Sequence, residues 1–539
     1  MTGKERVISA IKLQKTDRTP WVPFVGVHGA RLIDVSATEY LISETHIFNG
    51  VDTAIKTYQP DGIPVVFDLQ IEAELLGCEL AWAEHNPPAV VSHPLLEGIT
   101  LDDLQIPSMS EGRIPVIMNA TKRLRSQHPN VALYGLITGP FTLALHLLGT
   151  DIFMKMLEEP DYMHRLLSFT SVIGKKMAKA FIEAGCDVIA VVDPMTSQID
   201  GQSFKTFVTP HASDIFRLIR SEGALSSFFV CGHAQQNIEA MCLCKPDNIS
   251  IDENIPLDYV KEVALRHKIS FGGNMKLTVV MLMGDKNDVQ TNALECMDQG
   301  GDLGFLLAPG CDLPMDTPLE NVLAVTELVQ NTYQQDVIRT LEKQENSPSL
   351  LNMKDYGQAD KVIVDVITLD SESCAPCQYM VEAVKKITPH FEGIVEWREH
   401  AIKKLEAVTF MSSLMVKNIP TICIDGKIAF VSQIPPKQIL IAAIQKRINE
   451  KLKLKIKSKK GEIFVLGQND EECLPLKIEV QRAIEELGKS IDVKVITDKN
   501  QLATFGITET PAIVLAEYKV KSKGSSPSVE VIKEWIKEL

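Results

Sequence analysis

The sequence predicts an α/β protein: a (β/α)8 TIM-type barrel followed by two small tandem α/β domains of one design. Three observations lead there. Apolar runs without polar alternation recur over roughly the first 330 residues, about eight of them, each followed by an amphipathic stretch. Such strands belong in a parallel sheet covered on both faces, and eight repeats favour a closed barrel over an open sheet. A polar segment, Asn331 to Asp360, then breaks the pattern. Beyond Lys361 one order of elements occurs twice, the mark of an internal duplication. The resulting boundaries are 1–342 for the barrel, 343–358 for a linker, 359–455 for the first small domain and 461–539 for the second.

Residues 2–14 read as a helix, with Val7, Ile8, Ile11 and Leu13 on one face and Thr2 and Glu5 spaced as a capping box. Asp17-Arg18-Thr19-Pro20 ends it. Trp21 to Val27 is a short apolar strand whose prolines suit a strand end or an edge. The other barrel strands fall at Gly62–Phe67, Val131–Ile137, Val188–Val192, Ser227–Val230, Asn248–Ile251, Ile269–Gly272 and Leu303–Leu307. Helices lie between them, among others Thr38–Tyr58, Thr142–Leu157 and Asp161–Ala184. After the linker come strand Val362–Leu369, helix Tyr379–Lys386, strand Ile394–Arg398, helix Ala401–Phe410 and a hairpin turning at Asp425-Gly426. Ile463–Leu466, Cys473–Leu487, Val493–Ile496, Ile513–Tyr518 and Ser528–Leu539 repeat that order.

Composition narrows the function. The 539 residues are 45% hydrophobic and 23% charged, enough for several globular cores. A net charge of −15 with no basic block argues against nucleic acid as the main ligand. No apolar run approaches the roughly 18 residues of a membrane span. The charged start, Met1 to Arg6, is no signal core, and eleven scattered cysteines make no disulfide framework, so a cytoplasmic protein is expected. Neither a GxGxxG fingerprint nor a Walker loop follows a strand, which removes support for nicotinamide, flavin or ATP chemistry.

Two constellations carry chemistry. Phe228-Phe229-Val230-Cys231-Gly232-His233 and Gly304-Phe305-Leu306-Leu307-Ala308-Pro309-Gly310-Cys311 are apolar strands that each deliver a cysteine to a strand end. Thiolates and an imidazole there would select zinc, with Asp193 at another strand end as a further ligand. The plain alternative is a core thiol at Cys231 and a helix-capping His233. Cys242 and Cys244 form a Cys-x-Cys reserve. The second constellation is Cys374-Ala375-Pro376-Cys377 between a strand and a helix. A helix N-terminus stabilises a thiolate, which predicts Cys374 as the low-pKa attacking thiol and Cys377 as the resolving one. A zinc knuckle competes, but no second CxxC partners it.

Residues 1–335 resemble the uroporphyrinogen decarboxylase superfamily, specifically its corrinoid-dependent branch that methylates coenzyme M. The matching motifs are Asp17-Arg18-Thr19-Pro20, Val27-His28-Gly29-Ala30-Arg31-Leu32, Thr138-Gly139-Pro140-Phe141-Thr142, Asp193-Pro194, Cys231-Gly232, Ser250-Ile251-Asp252-Glu253 and Leu307-Ala308-Pro309-Gly310-Cys311. That branch binds zinc through a His-x-Cys pair and a later Cys. The cysteines match Cys231 and Cys311, the histidine position is Phe229, and His233 is the substitute at hand. Residues 359–455 resemble thioredoxin and glutaredoxin-like domains, with Pro420 as the expected cis-proline. Residues 461–539 resemble the small redox-disulfide thioredoxin-like family, with Pro511 in the same place but Cys473-Leu474-Pro475-Leu476 where two cysteines would stand.

Together the resemblances imply a zinc-dependent methyltransferase moving a methyl group between a corrinoid protein and a small thiol acceptor. Cys231, Cys311, His233 and Asp193 would hold the metal, Arg31 and Asp193 would bind substrate, and His28 would be catalytic. Cys374 and Cys377 would form a redox dithiol, served by an electron donor of the thioredoxin reductase type, that keeps Cys231 and Cys311 reduced or reduces the corrinoid or an acceptor disulfide. Two rivals stand beside this reading. One is a uroporphyrinogen decarboxylase-type carboxy-lyase, although Arg31 alone remains of the arginine-rich segment that grips a tetrapyrrole's carboxylates. The other is a non-catalytic corrinoid-binding or redox protein.

Overall fold

The computed structural model describes residues 1–340, 350–353, 356–357, 361–372, 374–456, 462–489, 491–507, 509–515, 520–523 and 526–537. Most of the expected linker, 343–358, lies outside them. The chain divides into two compact units. The first runs Met1–Pro348 and takes in Leu369–Tyr379 and Ala401–Val408; the second holds Ser349–Thr368, Met380–His400 and Thr409–Leu539.

In the first unit seven parallel strands stand side by side in chain order: β1 (Gly62–Pro64), β2 (Ala132–Thr138), β3 (Val188–Val192), β4 (Leu225–Val230), β5 (Asn248–Ile251), β6 (Ser270–Met275) and β7 (Phe305–Pro309). Residues of β2, β3, β5, β6 and β7 are buried throughout, which is why these strands read as unbroken apolar or small-residue runs rather than as alternation. The eighth position belongs to Pro20–Val22. Val22 N donates to Leu307 O and Leu307 N to Pro20 O, both at 2.9 Å, while Asp61 N donates to Trp21 O at 2.9 Å on the other side. The expected strand Trp21 to Val27 therefore shrinks to a bridge at Trp21. Pro20 and Pro23 have no N–H to extend the ladder.

The opening helix, Gly3–Ile11, carries the capping box that Thr2 and Glu5 predict. Its Arg6 joins Arg18 in gripping Asp61, so the Asp17-Arg18 motif has a structural task here. The helix expected over Thr38–Tyr58 is two, Ala37–Leu41 and Glu44–Tyr58, because the Ser43 hydroxyl accepts from His46 N at 3.3 Å and caps a new start. Thr142–Leu157 also divides, at Gly149, whose φ of +60° ends helix Pro140–Leu148.

The second unit holds two four-stranded sheets. One has β8 (Val362–Thr368), β9 (Val395–Ala401), β10 (Thr421–Ile424) and β11 (Lys427–Val431) in the order β9-β8-β10-β11. The other has β12 (Glu462–Leu466), β13 (Asp492–Ile496), β14 (Ala512–Leu515) and β15 (Val520–Lys523) in the order β13-β12-β14-β15. The shared order is the internal duplication in three dimensions. The peptide bonds before Pro420 and Pro511 are both cis. No helix among the described residues is long and apolar enough to cross a membrane.

Candidate active site

The C-terminal ends of β4, β5, β6 and β7 converge on two cysteines. Cys231 leaves β4 and Cys311 follows β7, and their sulfurs lie 2.9 Å apart. Two glycines allow this. Gly232 turns the chain with φ at +85°, where a side chain is strained. A Cβ on Gly310 would stand 2.7 Å from Glu253 N, so only glycine lets the two strand ends pass. The hydrogen bond from its partner, and then burial, push the Cys231 thiol well up.

Three half-buried carboxylates stand near the pair. Asp252, at the end of β5, accepts from Gly232 N at 3.0 Å and from Asn254 N at 3.0 Å. Its amide neighbour Asn274, on β6, holds the Asp252 carbonyl at 3.2 Å. Glu253 accepts from Leu277 N, and burial lifts its pKa to about 8, with the neighbouring Asp252 charge as the second cause. Asp312 accepts from Gly26 N at 2.8 Å, and burial raises it well above the ordinary carboxylate range. Asp252 is raised as well, first by burial. Glu253 keeps its proton at neutral pH and leaves Asp252 as the ionisable member of an adjacent acid pair.

Several residues expected in the site have other partners. Asp193 is fully buried, but its oxygens face the start of helix Pro140–Leu148: Oδ1 accepts from Thr142 N at 2.7 Å and Thr142 Oγ1 at 2.6 Å, and Oδ2 from Phe141 N at 3.2 Å. Gly139 has no side chain to cap this helix, so a carboxylate from β3 does it. His28 is also fully buried. Its Nδ1 lies 3.0 Å from Met315 O and its Nε2 2.7 Å from the Tyr58 hydroxyl, so both ring nitrogens are engaged, and burial lowers its pKa. It ties the chain at Met315 to Tyr58 of helix Glu44–Tyr58. Arg31 is exposed, 4.0 Å from Asp316.

The metal expected between the thiols does not find its donors. Among the described residues no three His, Cys, Asp or Glu side chains form a metal-holding cluster, so neither His233 nor Asp193 completes one with Cys231 and Cys311. Phe229, at the histidine position, packs its ring 5.2 Å from Phe24 and 5.9 Å from Phe67 in the barrel core. Two thiols are short of the three or four protein donors of a zinc site.

The CxxC segment is local and ordered by its own backbone. Cys374 N donates to Asp370 O at 3.0 Å and opens helix Ala375–Ile387; Leu369 N donates to Cys377 Sγ at 3.4 Å. Cys374 is half-buried and Cys377 buried. The Cys374 thiol is pushed well up, first by its hydrogen bond with Cys377 and then by burial, rather than down as its helix position predicts. In the repeat, Cys473 is buried in a core with Leu476 and Val480.

Helix Pro140–Leu148 and β2 meet over Glu72, a residue that sequence reasoning passed over. Its oxygens accept from Thr138 N at 3.0 Å and Thr138 Oγ1 at 2.8 Å, and burial raises its pKa from 4.5 to about 7. A raised carboxylate binds its proton more tightly when folded, so its contribution to stability falls as pH rises between about 4.5 and 7. We expect Glu72→Gln to remove about 3 kcal/mol of that decline. Denaturant titrations of both proteins from pH 5 to 8 check it; parallel curves would refute it.

A family model described as Uroporphyrinogen decarboxylase (URO-D) matches residues 2–332. The chain belongs to the uroporphyrinogen decarboxylase family. Within it, the chain is 26% identical over 337 residues to the methylcobamide:CoM methyltransferase MtbA of Methanosarcina acetivorans, covering 61% of this chain and 98% of that one. Identity to the methylcobamide:CoM methyltransferase MtaA of Methanosarcina barkeri is 27% over 332 residues, 60% of this chain and 96% of the other. A uroporphyrinogen decarboxylase of Thermus thermophilus is 25% identical over 51% of this chain and 81% of its own length. Among solved structures, a methyltransferase from Methanosarcina mazei superposes with a TM-score of 0.56 at 25% identity, covering 61% of this chain and 98% of that one. A second model, described as Thioredoxin domain, matches residues 461–537. The family's barrel is thus joined to a thioredoxin domain in one chain.

Proposed function

We propose that the barrel is a methyltransferase that moves a methyl group between a corrinoid carried by a separate protein and a thiol acceptor. The observation that carries this reading is the match along 98% of a methylcobamide:CoM methyltransferase. The acceptor thiol binds at the mouth ringed by Cys231, Cys311, Asp252, Glu253 and Asp312. Asp252 takes the thiol proton; the thiolate attacks the methyl carbon, and the cobalt–carbon bond breaks with its electron pair staying on the corrinoid. Glu253, neutral at pH 7, sits beside Asp252 without adding a second charge to repel the forming thiolate. Zinc, implied by the resemblance, meets two thiols here and no third donor among the described residues, so no step of this mechanism runs through it. The fused dithiol at Cys374 and Cys377 acts as a redox module, recharged by a dithiol donor of the thioredoxin reductase type.

The test is incubation of the full chain with a methylated corrinoid protein and a small thiol. A thioether product and a demethylated corrinoid support the reading. Turnover of uroporphyrinogen would replace it with a carboxy-lyase, and corrinoid binding without transfer would replace it with a binding role.

A further inference from the structure

The segment bearing the dithiol belongs to the same compact unit as the barrel, and its contacts show why. Gln378 Nε2 donates to Val90 O at 2.6 Å, and Asn86 Nδ2 to Glu372 Oε2 at 3.1 Å. Lys403 Nζ donates to Asn86 Oδ1 and Asp370 Oδ2, both at 2.7 Å. Tyr379, fully buried, brings its hydroxyl 3.2 Å from His146 Nδ1, on helix Pro140–Leu148, and stacks on His93. So the 86–93 loop and a helix that starts at the C-terminal end of β2 hold Leu369–Tyr379 in place. Cys374 lies within electrostatic reach of Cys231 and of Asp252, and Lys403 within reach of Asp312. Cys374, at the start of this segment, is thus held on the barrel unit within electrostatic range of Cys231.

We propose that Cys231 and Cys311 form a redox pair that exchanges its disulfide with Cys374 and Cys377. Three features converge on it. The barrel sulfurs sit 2.9 Å apart, about 1 Å from bonding distance. Among the described residues they lack the further donors that would commit them to a metal. A second dithiol, with Cys374 half-buried and Cys377 buried, is fastened to the same unit by the contacts above, within electrostatic range of Cys231.

The step balances without an outside reagent. With the barrel pair oxidised, the Cys374 thiolate attacks Cys231 Sγ. The Cys231–Cys311 bond breaks, Cys311 leaves as a thiolate, and a Cys374–Cys231 disulfide forms. Cys377 then attacks Cys374 Sγ and releases Cys231. Two electrons and two protons pass from the outer dithiol to the inner pair. A dithiol reductant restores Cys374 and Cys377, and a further cycle begins when a disulfide or peroxide oxidant takes two electrons from the barrel pair. The consequence is that the chain sets the state of its own barrel mouth. This exchange does not depend on which group the barrel transfers, so its failure is separable from that of the methyl-transfer reading.

The experiment uses the full chain with Cys377→Ser, reduced, then treated with diamide and digested without reductant for peptide mass spectrometry. Expected is a disulfide joining the Cys374 peptide to that of Cys231 or Cys311 in most chains. A Cys374 recovered with no link to either would overturn the proposal. A second measurement covers a folding defect in that variant. In chains whose barrel pair has been oxidised, re-reduction by a small dithiol is expected to be about tenfold slower in Cys374→Ser than in wild type. Equal rates, or a wild-type barrel pair that forms no disulfide on oxidation, would overturn it as well.

Discussion

Asp252→Asn lowers the rate of methyl transfer from a corrinoid protein to a thiol by about 100-fold or more, the usual size of a lost general base. The substitution is nearly isosteric. Its remaining oxygen can still accept from Gly232 N, which keeps the turn that carries Cys231, while its amide nitrogen gives up the acceptor that Asp252 offers Asn254. Besides that acceptor it removes the charge, and with it the place for the acceptor thiol's proton. The pH profile separates this role from a structural one. Burial raises Asp252, so the acid limb of the wild-type profile lies above the ordinary aspartate range near pH 4. Below that limb the carboxylate is protonated and the rate falls; above it the base is available. In Asp252→Asn the limb disappears while thiol binding, read from KM, changes little. An unchanged kcat would remove Asp252 from the mechanism.

The largest loss of stability is expected at Asp61→Ala, about 3–5 kcal/mol, as for other broken buried ion pairs. Asp61 is 2% exposed. It accepts from Arg18 Nη1 at 2.6 Å and Nη2 at 3.0 Å, from Arg6 Nη1, and from Trp21 N at 2.9 Å. Removing it leaves the Arg6 guanidinium buried without its partner and strips the support from the segment that occupies the eighth barrel position. Arg6 keeps Asp17, but that carboxylate is 45% exposed and its ion pair is worth about 1 kcal/mol or less. Chemical denaturation of the two proteins measures the difference. A change below about 1 kcal/mol would show that barrel closure rests on packing at Trp21 instead.

The periodic features were legible because they depend on near neighbours in the chain. Apolar runs place β3 and β5 to the residue, and capping at Thr2 and Glu5 follows from their spacing. Cys231 and Cys311 were legible as strand-end thiols because a strand ending in a reactive side chain announces itself locally. Asp193, His28 and His233 were not. Asp193 is defined by Thr142, 51 residues away, and His28 by Met315, 287 residues away. Both end a strand or start a turn, as a ligand would, yet their polar atoms are engaged by backbone groups and by the Thr142 and Tyr58 hydroxyls. Asp252 and Glu253 stood in a recognised motif, but the upward shift of both acids comes from desolvation within the fold, which no local pattern records.

By itself, then, the sequence determined most of the elements, the parallel order of the barrel strands, the duplicated C-terminal third and the cysteines at two strand ends, since each of these is written in periodicity, spacing or a short motif. Tertiary structure alone decided which acids gather around the thiols, that Phe229 belongs to the core, and that the Cys374 segment is fastened to the barrel. Those outcomes turn on burial and on hydrogen bonds between distant residues, where the cost of an unpaired polar group inside the fold selects the partner.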